Sequence, residues 1–318
     1  MKTISIGKFR GLQQISTRRG TFTVLALDHR QNLRRANPAF ENSTELSVFK
    51  LDVISELAAK STAVLLDPEV SAAQAVAESV IPKDVGLVVA LESTGYTGDT
   101  TARKAQIIPG WSVEKAKNMG ASAVKLLVYY HPDSAAAKGI EDFISCIAED
   151  CLKHDLVLML EPLSYALVEN VKLTSQEKRH VVVETAKRLS QLNIDILKAE
   201  FPLTELDRDE STWMDACKEI SAASLVPWIL LSAAVDYETY VKQVATACQA
   251  GASGIAVGRA VWQEAVSMNR AERLKFLQVT SQQRLSRLTS LCHALAKPFT
   301  EFYRADAPLD WYKSYETV

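Results

Sequence analysis

Thr21-Phe22-Thr23-Val24-Leu25-Ala26-Leu27, followed at once by Asp28-His29-Arg30, is the stretch on which the fold turns. Apolar and β-branched residues run on without a charge, and then charge arrives abruptly. A strand with one wet face alternates polar and apolar residues, because successive side chains face opposite ways. A continuous run is what a strand covered on both faces requires.

The same event recurs along the chain. Residues 63–66 run into Asp67-Pro68, 86–91 into Glu92, 123–128 into Tyr129-Tyr130-His131, and 156–160 into Glu161-Pro162. Residues 195–200 run into Phe201-Pro202, 228–231 into Ser232, and 254–257 into Gly258-Arg259. Helical periodicity fills most of the gaps, over 44–60, 112–119, 140–154, 178–192, 209–224 and 237–250. Strand–helix alternation implies parallel strands joined by right-handed crossovers. Eight such units in 318 residues predict an α/β fold, a (β/α)8 TIM barrel, in preference to an open doubly wound sheet. No Gly-x-Gly-x-x-Gly stretch supports dinucleotide binding.

The chain then reads as a single domain over 1–318, with a barrel core over about 21–295. A short N-terminal helix around Phe9, Leu12 and Ile15 leads into it. Gly120-Ala121-Ser122 and Gly251-Ala252-Ser253 read as helix ends that turn into strands. Residues 270–295 read as one long closing helix. The extension over 296–318 is aromatic, with Phe299, Phe302, Tyr303, Trp311, Tyr312 and Tyr315. It is expected as a strap on the barrel wall, a lid over the mouth or a dimer contact.

Composition narrows the partners. Hydrophobic residues make up 47% and charged residues 23%, as in a soluble globular protein. A net charge of −2 gives no reason to expect nucleic acid or an acidic membrane. Residues 1–10 lack a signal-peptide core, and no apolar run is long enough to span a bilayer. Cys146, Cys151, Cys217, Cys248 and Cys292 have no CxxC spacing and are expected as buried, reduced thiols in a cytoplasmic protein.

In such a barrel the chemistry sits at the C-terminal ends of the strands. The polar residues there are Asp28, Asp67, Glu92, Lys125, Glu161, Lys198, Glu200, Ser232 and Arg259. Charges on apolar strands are costly to bury unpaired. Lys125, Glu161 and Lys198 fall on strands four, five and six, so they should be neighbours around the rim. A nearby cation disfavours protonation of an amine, and an activated lysine can attack a carbonyl to form a Schiff base. A carboxylate beside it can shuttle protons. Metal chemistry is disfavoured, since of five histidines only His29 and His131 lie near strand C-termini. Glycoside hydrolysis by Glu161 with Glu92 or Glu200 would leave both lysines unexplained. The loops after strands seven and eight, around Ser232 and Gly258-Arg259, suit a phosphate.

These residues resemble a known family. The segments 65–69, 92–96, 124–130, 160–165, 197–202, 231–235 and 258–262 are similar to class I tagatose-1,6-bisphosphate aldolases. The last three of these motifs are shared with sulfofructose-phosphate aldolases. The resemblance implies metal-independent, cofactor-free cleavage of a ketose bisphosphate into dihydroxyacetone phosphate and glyceraldehyde 3-phosphate. By that resemblance Lys198 would form the Schiff base, Glu161 would shuttle protons, and Lys125 and Asp28 would complete the catalytic pocket. Ser232, Gly258 and Arg259 would hold a phosphate, and Arg30, Glu92 and Glu200 would contact substrate. A small sugar phosphate is the expected partner, and a homo-oligomer the expected assembly. Three departures bear on substrate. His29 stands where the family has Gln, Ala234 where it has Gly, and Ala166 where it has an acid. A sulfofructose-phosphate or other ketose-phosphate aldolase is therefore the alternative, and a non-turnover metabolite sensor the second.

Overall fold

The computed structural model describes all residues except Arg208, Ala234, Ser314 and 316–318. At its centre is a closed barrel of eight parallel strands. These are β1 (Phe22–Ala26), β2 (Ala63–Leu66), β3 (Gly86–Ala90) and β4 (Ala123–Tyr129). They continue as β5 (Val157–Leu163), β6 (Ile196–Ala199), β7 (Trp228–Leu231) and β8 (Gly254–Val257). Each pairs with its neighbour in sequence, and β8 closes on β1 from Gly254–Phe22 to Val257–Leu25. All eight predicted runs are strands, in the predicted order. They are buried throughout or nearly so, because inward side chains fill the barrel while outward ones meet the helices.

The helices Ser43–Leu57, Val113–Asn118, Ala137–Lys153, Ser175–Leu189, Glu210–Ala223 and Tyr237–Gln249 follow the predicted spans closely. Their ends are written in the sequence. Thr174 and Glu177 form a reciprocal capping box, and Asp236 caps the Thr239 N–H. Gly120 (φ +94°) and Gly251 (φ +112°) take the left-handed turn that leads into β4 and β8, which a residue with a Cβ adopts only under strain. No helix among the described residues is long and apolar enough to cross a membrane.

Three features differ from the sequence reading, and one open alternative narrows. Of the strap, lid and dimer contact, the packing of Phe299 and Tyr303 is that of a strap, set at the floor of the barrel. Phe299 packs on Phe9 (5.5 Å) and Phe22 (5.8 Å), and Tyr303 donates to the Asp195 carbonyl at 2.9 Å. Phe22 opens β1 and Asp195 precedes β6, so these contacts close the N-terminal floor. Backbone bonds from Lys297 N to Ala252 O and from Phe299 N to Gly20 O turn the chain underneath as soon as the last helix ends. There Tyr303–Arg304 also pairs with a short strand, Lys2–Thr3, that the sequence did not announce.

The closing helix is interrupted. Arg270–Phe276 and Gln282–Leu295 flank a π-helical turn, Leu277–Ser281, where the Ser281 hydroxyl donates to the Val261 carbonyl at 2.9 Å. A β-hairpin, Thr97–Asp99 with Ala102–Lys104, follows β3. Its Arg103 guanidinium stacks over Tyr96, Tyr129 and Tyr165 at 4.5, 5.0 and 4.6 Å. Finally, Cys146 is exposed, although the other four cysteines are buried as expected. It lies on the outer face of its helix, where no strand covers it.

Candidate active site

Register brings the chemistry together. β4 and β5 pair along their whole length, with Lys125 opposite Met159 and Leu127 opposite Glu161. β5 and β6 pair at Met159–Ile196 and Leu160–Leu197, so the next step sets Lys198 beside Glu161. Side chains two apart on a strand point the same way. Accordingly Lys125, Leu127 and Tyr129, then Glu161 and Leu163, then Lys198 and Glu200 line one cavity of about 380 Å³. It opens at the C-terminal ends of the strands. Asp28, Arg30, Glu92, Ser232, Gly258 and Arg259 line it too, so of the polar strand-end residues all but Asp67 reach one space. Asp67 does not line it. It is fully buried in an ion pair with Lys50 and holds its own loop by accepting the Glu69 and Val70 N–H groups.

The two cavity lysines are paired differently. Lys125 Nζ lies 2.8 Å from Asp28 Oδ2, 2.7 Å from Glu92 Oε1 and 2.8 Å from Glu161 Oε2. Burial disfavours its charge, but these three carboxylates outweigh burial and hold its pKa well above the usual lysine value. Lys125 is a fixed cation. Lys198 Nζ has one carboxylate partner among the described residues, the same Glu161 Oε2, at 2.8 Å. That oxygen therefore sits between two amines. Neither contact has hydrogen-bond alignment, so the oxygen is attracted by both and locked by neither.

The carboxylates sort accordingly. Burial pushes Asp28 and Glu161 up, yet Lys125 and Lys198 prevail, and both are held below the carboxylate range, Asp28 well below it. Glu92 goes the other way, raised by burial that Lys125 only partly offsets. Its second oxygen accepts the Leu127 N–H at 3.0 Å, which fixes it as the clamp on Lys125. Glu200 is likewise engaged, since Ser164 donates to it through both N–H and hydroxyl at 2.6 Å. Arg30 ion-pairs with Glu69 and donates to the Glu92 carbonyl at 2.8 Å, tying the loops after β1 and β3.

The opposite rim is built from the loops after β7 and β8. The Gly258 N–H donates to Ser232 Oγ at 3.0 Å, joining the loops after β7 and β8. A Cβ on Gly258 would fall 2.9 Å from the Ala26 carbonyl oxygen and 3.2 Å from His29 Cε1, so only glycine packs this close. Arg259 follows, with its Nε buried and unpartnered and no ion pair among the described residues. Ala234, a departure noted above, lies outside the described residues.

Sequence reasoning passed over His29 and Tyr129 as cavity residues. Tyr129 was legible from its i+4 spacing to Lys125 on one strand face. His29 entered only as one of two histidines near strand ends and as a departure from the family's Gln, without a place in the cavity. Among the described residues no group of His, Cys, Asp and Glu side chains is set to hold a metal ion.

With this geometry in place, comparison with known proteins gives one family. The DeoC/LacD family aldolase profile matches residues 22–264, which spans the whole barrel. A tagatose 1,6-diphosphate aldolase of Enterococcus faecalis is 32% identical, over 84% of this chain and 86% of its own length. One from Streptococcus agalactiae serotype V is 29% identical, over 92% of this chain and 98% of its own. Among solved structures, an archaeal fructose-1,6-bisphosphate aldolase aligns with TM-score 0.57 and 25% identity, covering 87% of this chain and 99% of that one. In it the catalytic Lys is covalently bound to the carbinolamine intermediate of the substrate. The chain belongs to the DeoC/LacD family of aldolases and is an aldehyde-lyase.

Proposed function

We propose that the chain is a class I aldolase that cleaves tagatose 1,6-bisphosphate into dihydroxyacetone phosphate and glyceraldehyde 3-phosphate through a Schiff base on Lys198. The observation that carries this reading is the single oxygen, Glu161 Oε2, poised 2.8 Å from both Lys198 Nζ and Lys125 Nζ. Lys198 yields a proton to Glu161 and attacks the ketone carbon. The former carbonyl oxygen takes up protons and leaves as water, and an iminium remains. Glu161, again a carboxylate, accepts the proton of the C4 hydroxyl as the C3–C4 bond breaks. The bonding pair flows into the iminium and leaves an enamine, and the aldehyde departs. Protonation at C3 and hydrolysis then free the ketone and restore Lys198.

Lys125 keeps its charge throughout and so serves as an electrostatic partner rather than a nucleophile. Asp28 and Glu92 hold it in place. The iminium supplies the electron sink that a metal would otherwise provide, so the reaction needs no cofactor. The substrate phosphate next to the ketone docks on Ser232, Gly258 and Arg259. The similarity to tagatose 1,6-diphosphate aldolases favours tagatose bisphosphate over a sulfofructose phosphate. The metabolite-sensor alternative rested on Ala234, and the Lys198–Glu161 contact speaks for turnover.

The test is to incubate the protein with dihydroxyacetone phosphate, reduce with borohydride and map the modified peptide by mass spectrometry. The adduct is expected on Lys198, before and after treatment with EDTA. An adduct on Lys125, or none, overturns the assignment.

A further inference from the structure

His29 follows Asp28 on the loop after β1, and its environment is unusual. Nδ1 is buried and has no hydrogen-bond partner. The nearest carboxylate oxygen, Asp28 Oδ1, is 3.9 Å away, beyond hydrogen-bond reach. The Trp262 ring meets the imidazole edge-on at 5.6 Å. On another side Cε1 would stand 3.2 Å from a Cβ at Gly258, so the ring packs against that loop. The imidazole thus stands between a carboxylate and the loop proposed above to hold phosphate. Both the catalytic cavity and a smaller pocket beside Arg259 are lined by it. A buried polar nitrogen without a partner is costly unless something completes it.

The charged groups that face it come from four segments. Asp28 is on its own loop, Glu161 on β5, Lys198 on β6 and Arg259 after β8. Burial, with Arg259 and Lys198 reinforcing it, holds the imidazole down to about 4 against the pull of Asp28 and Glu161. The imidazole is therefore a neutral ring near a guanidinium that has no ion pair among the described residues. A bound dianion changes that balance. It offsets the Arg259 charge and leaves surplus negative charge on the side away from Asp28. A protonated imidazole has two donors, one for each side.

We propose that His29 is a specificity-determining residue that reads the charge of the bound group: it takes up a proton from solvent when a dianionic phosphate docks between Ser232 and Arg259. A monoanionic sulfonate supplies half the charge and does not secure the proton. The site is thereby tuned to ketones that carry a dianion beside the carbonyl. This inference rests on the phosphate placement proposed above.

The probe is inorganic sulfate, which stays a dianion near neutral pH, so any proton taken up goes to the protein. Isothermal titration of the full chain at pH 6, in buffers of different ionisation enthalpy, counts protons per anion bound. At that pH about one ring in a hundred is protonated in the free protein. Sulfate is expected to bring in more than about half a proton, and methanesulfonate less than about a tenth. With His29→Gln, the sulfate-linked uptake should vanish. A wild-type protein carrying ¹³C-labelled histidine offers a readout independent of any variant, since sulfate should move the His29 resonances to their protonated positions. Equal uptake with both anions, no uptake with sulfate, or undiminished uptake in His29→Gln each overturns the proposal. Failure of sulfate to bind overturns it as well, through the phosphate placement, and leaves the borohydride result on Lys198 to judge the aldolase reading separately.

Discussion

The barrel buries lysines at both ends, and they are paired by different rules. At the floor, Lys8 meets Asp195 at 2.7 Å, both side chains 5% exposed. The same Asp195 oxygen also accepts the Leu158 N–H at 2.8 Å, so acceptor and cation are both satisfied. At the mouth, Lys125 takes three carboxylates while Lys198 shares one oxygen with it. A one-to-one pair with aligned hydrogen bonds holds structure. At the mouth one oxygen is shared by two amines, with no hydrogen bond aligned to either. That difference in pairing, and not burial, sets the lysine proposed to react apart from the one at the floor, since Lys8 and Lys198 are almost equally buried.

The comparison can be broken most directly by substituting each lysine in turn. Lys198→Ala should lower kcat by at least ~10³-fold and abolish the borohydride adduct, with little change in urea unfolding. Lys8→Ala should do the reverse. It strands the Asp195 carboxylate in the floor and is expected to cost about 3–5 kcal/mol in unfolding free energy, while the adduct on Lys198 still forms. Loss of the adduct in folded Lys8→Ala would erase the distinction between the two ends.

A smaller effect sharpens it through pH. His29 releases its proton at 6.5 in the unfolded chain and at about 4 in the folded one. Between those values the unfolded chain holds more protons, so this group makes stability rise with pH from 4 to 6.5 and fall again on acidification. With 21% of the side chain exposed, the shift is worth up to about 3 kcal/mol across that window. Urea unfolding at pH 4.5 and 6.5 should show a shallower pH dependence in His29→Gln than in the wild type. An unchanged slope would mean that the ring is not held neutral. Last, Arg259→Ala should raise KM for the phosphorylated ketose ~10–100-fold and change kcat less. An unchanged KM would move the phosphate away from the loops after β7 and β8.

Much of this was legible in the chain. A strand covered on both faces must be apolar throughout, so eight such runs gave the barrel. Consecutive pairing then placed Lys125, Glu161 and Lys198 side by side. What could not be read were contacts made by loops and termini. The floor plug depends on Phe299 meeting Phe9 across most of the sequence, and no local period encodes that. The engagement of Glu92, Glu200 and Arg30 by Lys125, Ser164 and Glu69 likewise depends on loop conformation. Sequence therefore located each charge on the rim but not its partner. Asp67 shows the cost. Its place at a strand end matches that of the site residues, yet Lys50, reaching in from the helix Ser43–Leu57, removes it from the cavity.

The β4–β5 ladder has one further consequence. These strands pair residue by residue from Ala123–Val157 to Tyr129–Leu163, whereas β7 and β8 pair only at Leu230–Ile255 and Leu231–Ala256. Lys125 and Glu161 therefore ride on the most extensively zipped ribbon of the barrel. The loops of Ser232 and Gly258 extend from a seam with two paired positions, as few as join β5 to β6, between Glu161 and Lys198. Local opening is cheapest where the fewest interstrand bonds must break. The rim should thus open last between Lys125 and Glu161, and sooner at the seams beside Lys198 and Ser232, so that the spacing of Lys125 to Glu161 is the most durable distance in the cavity.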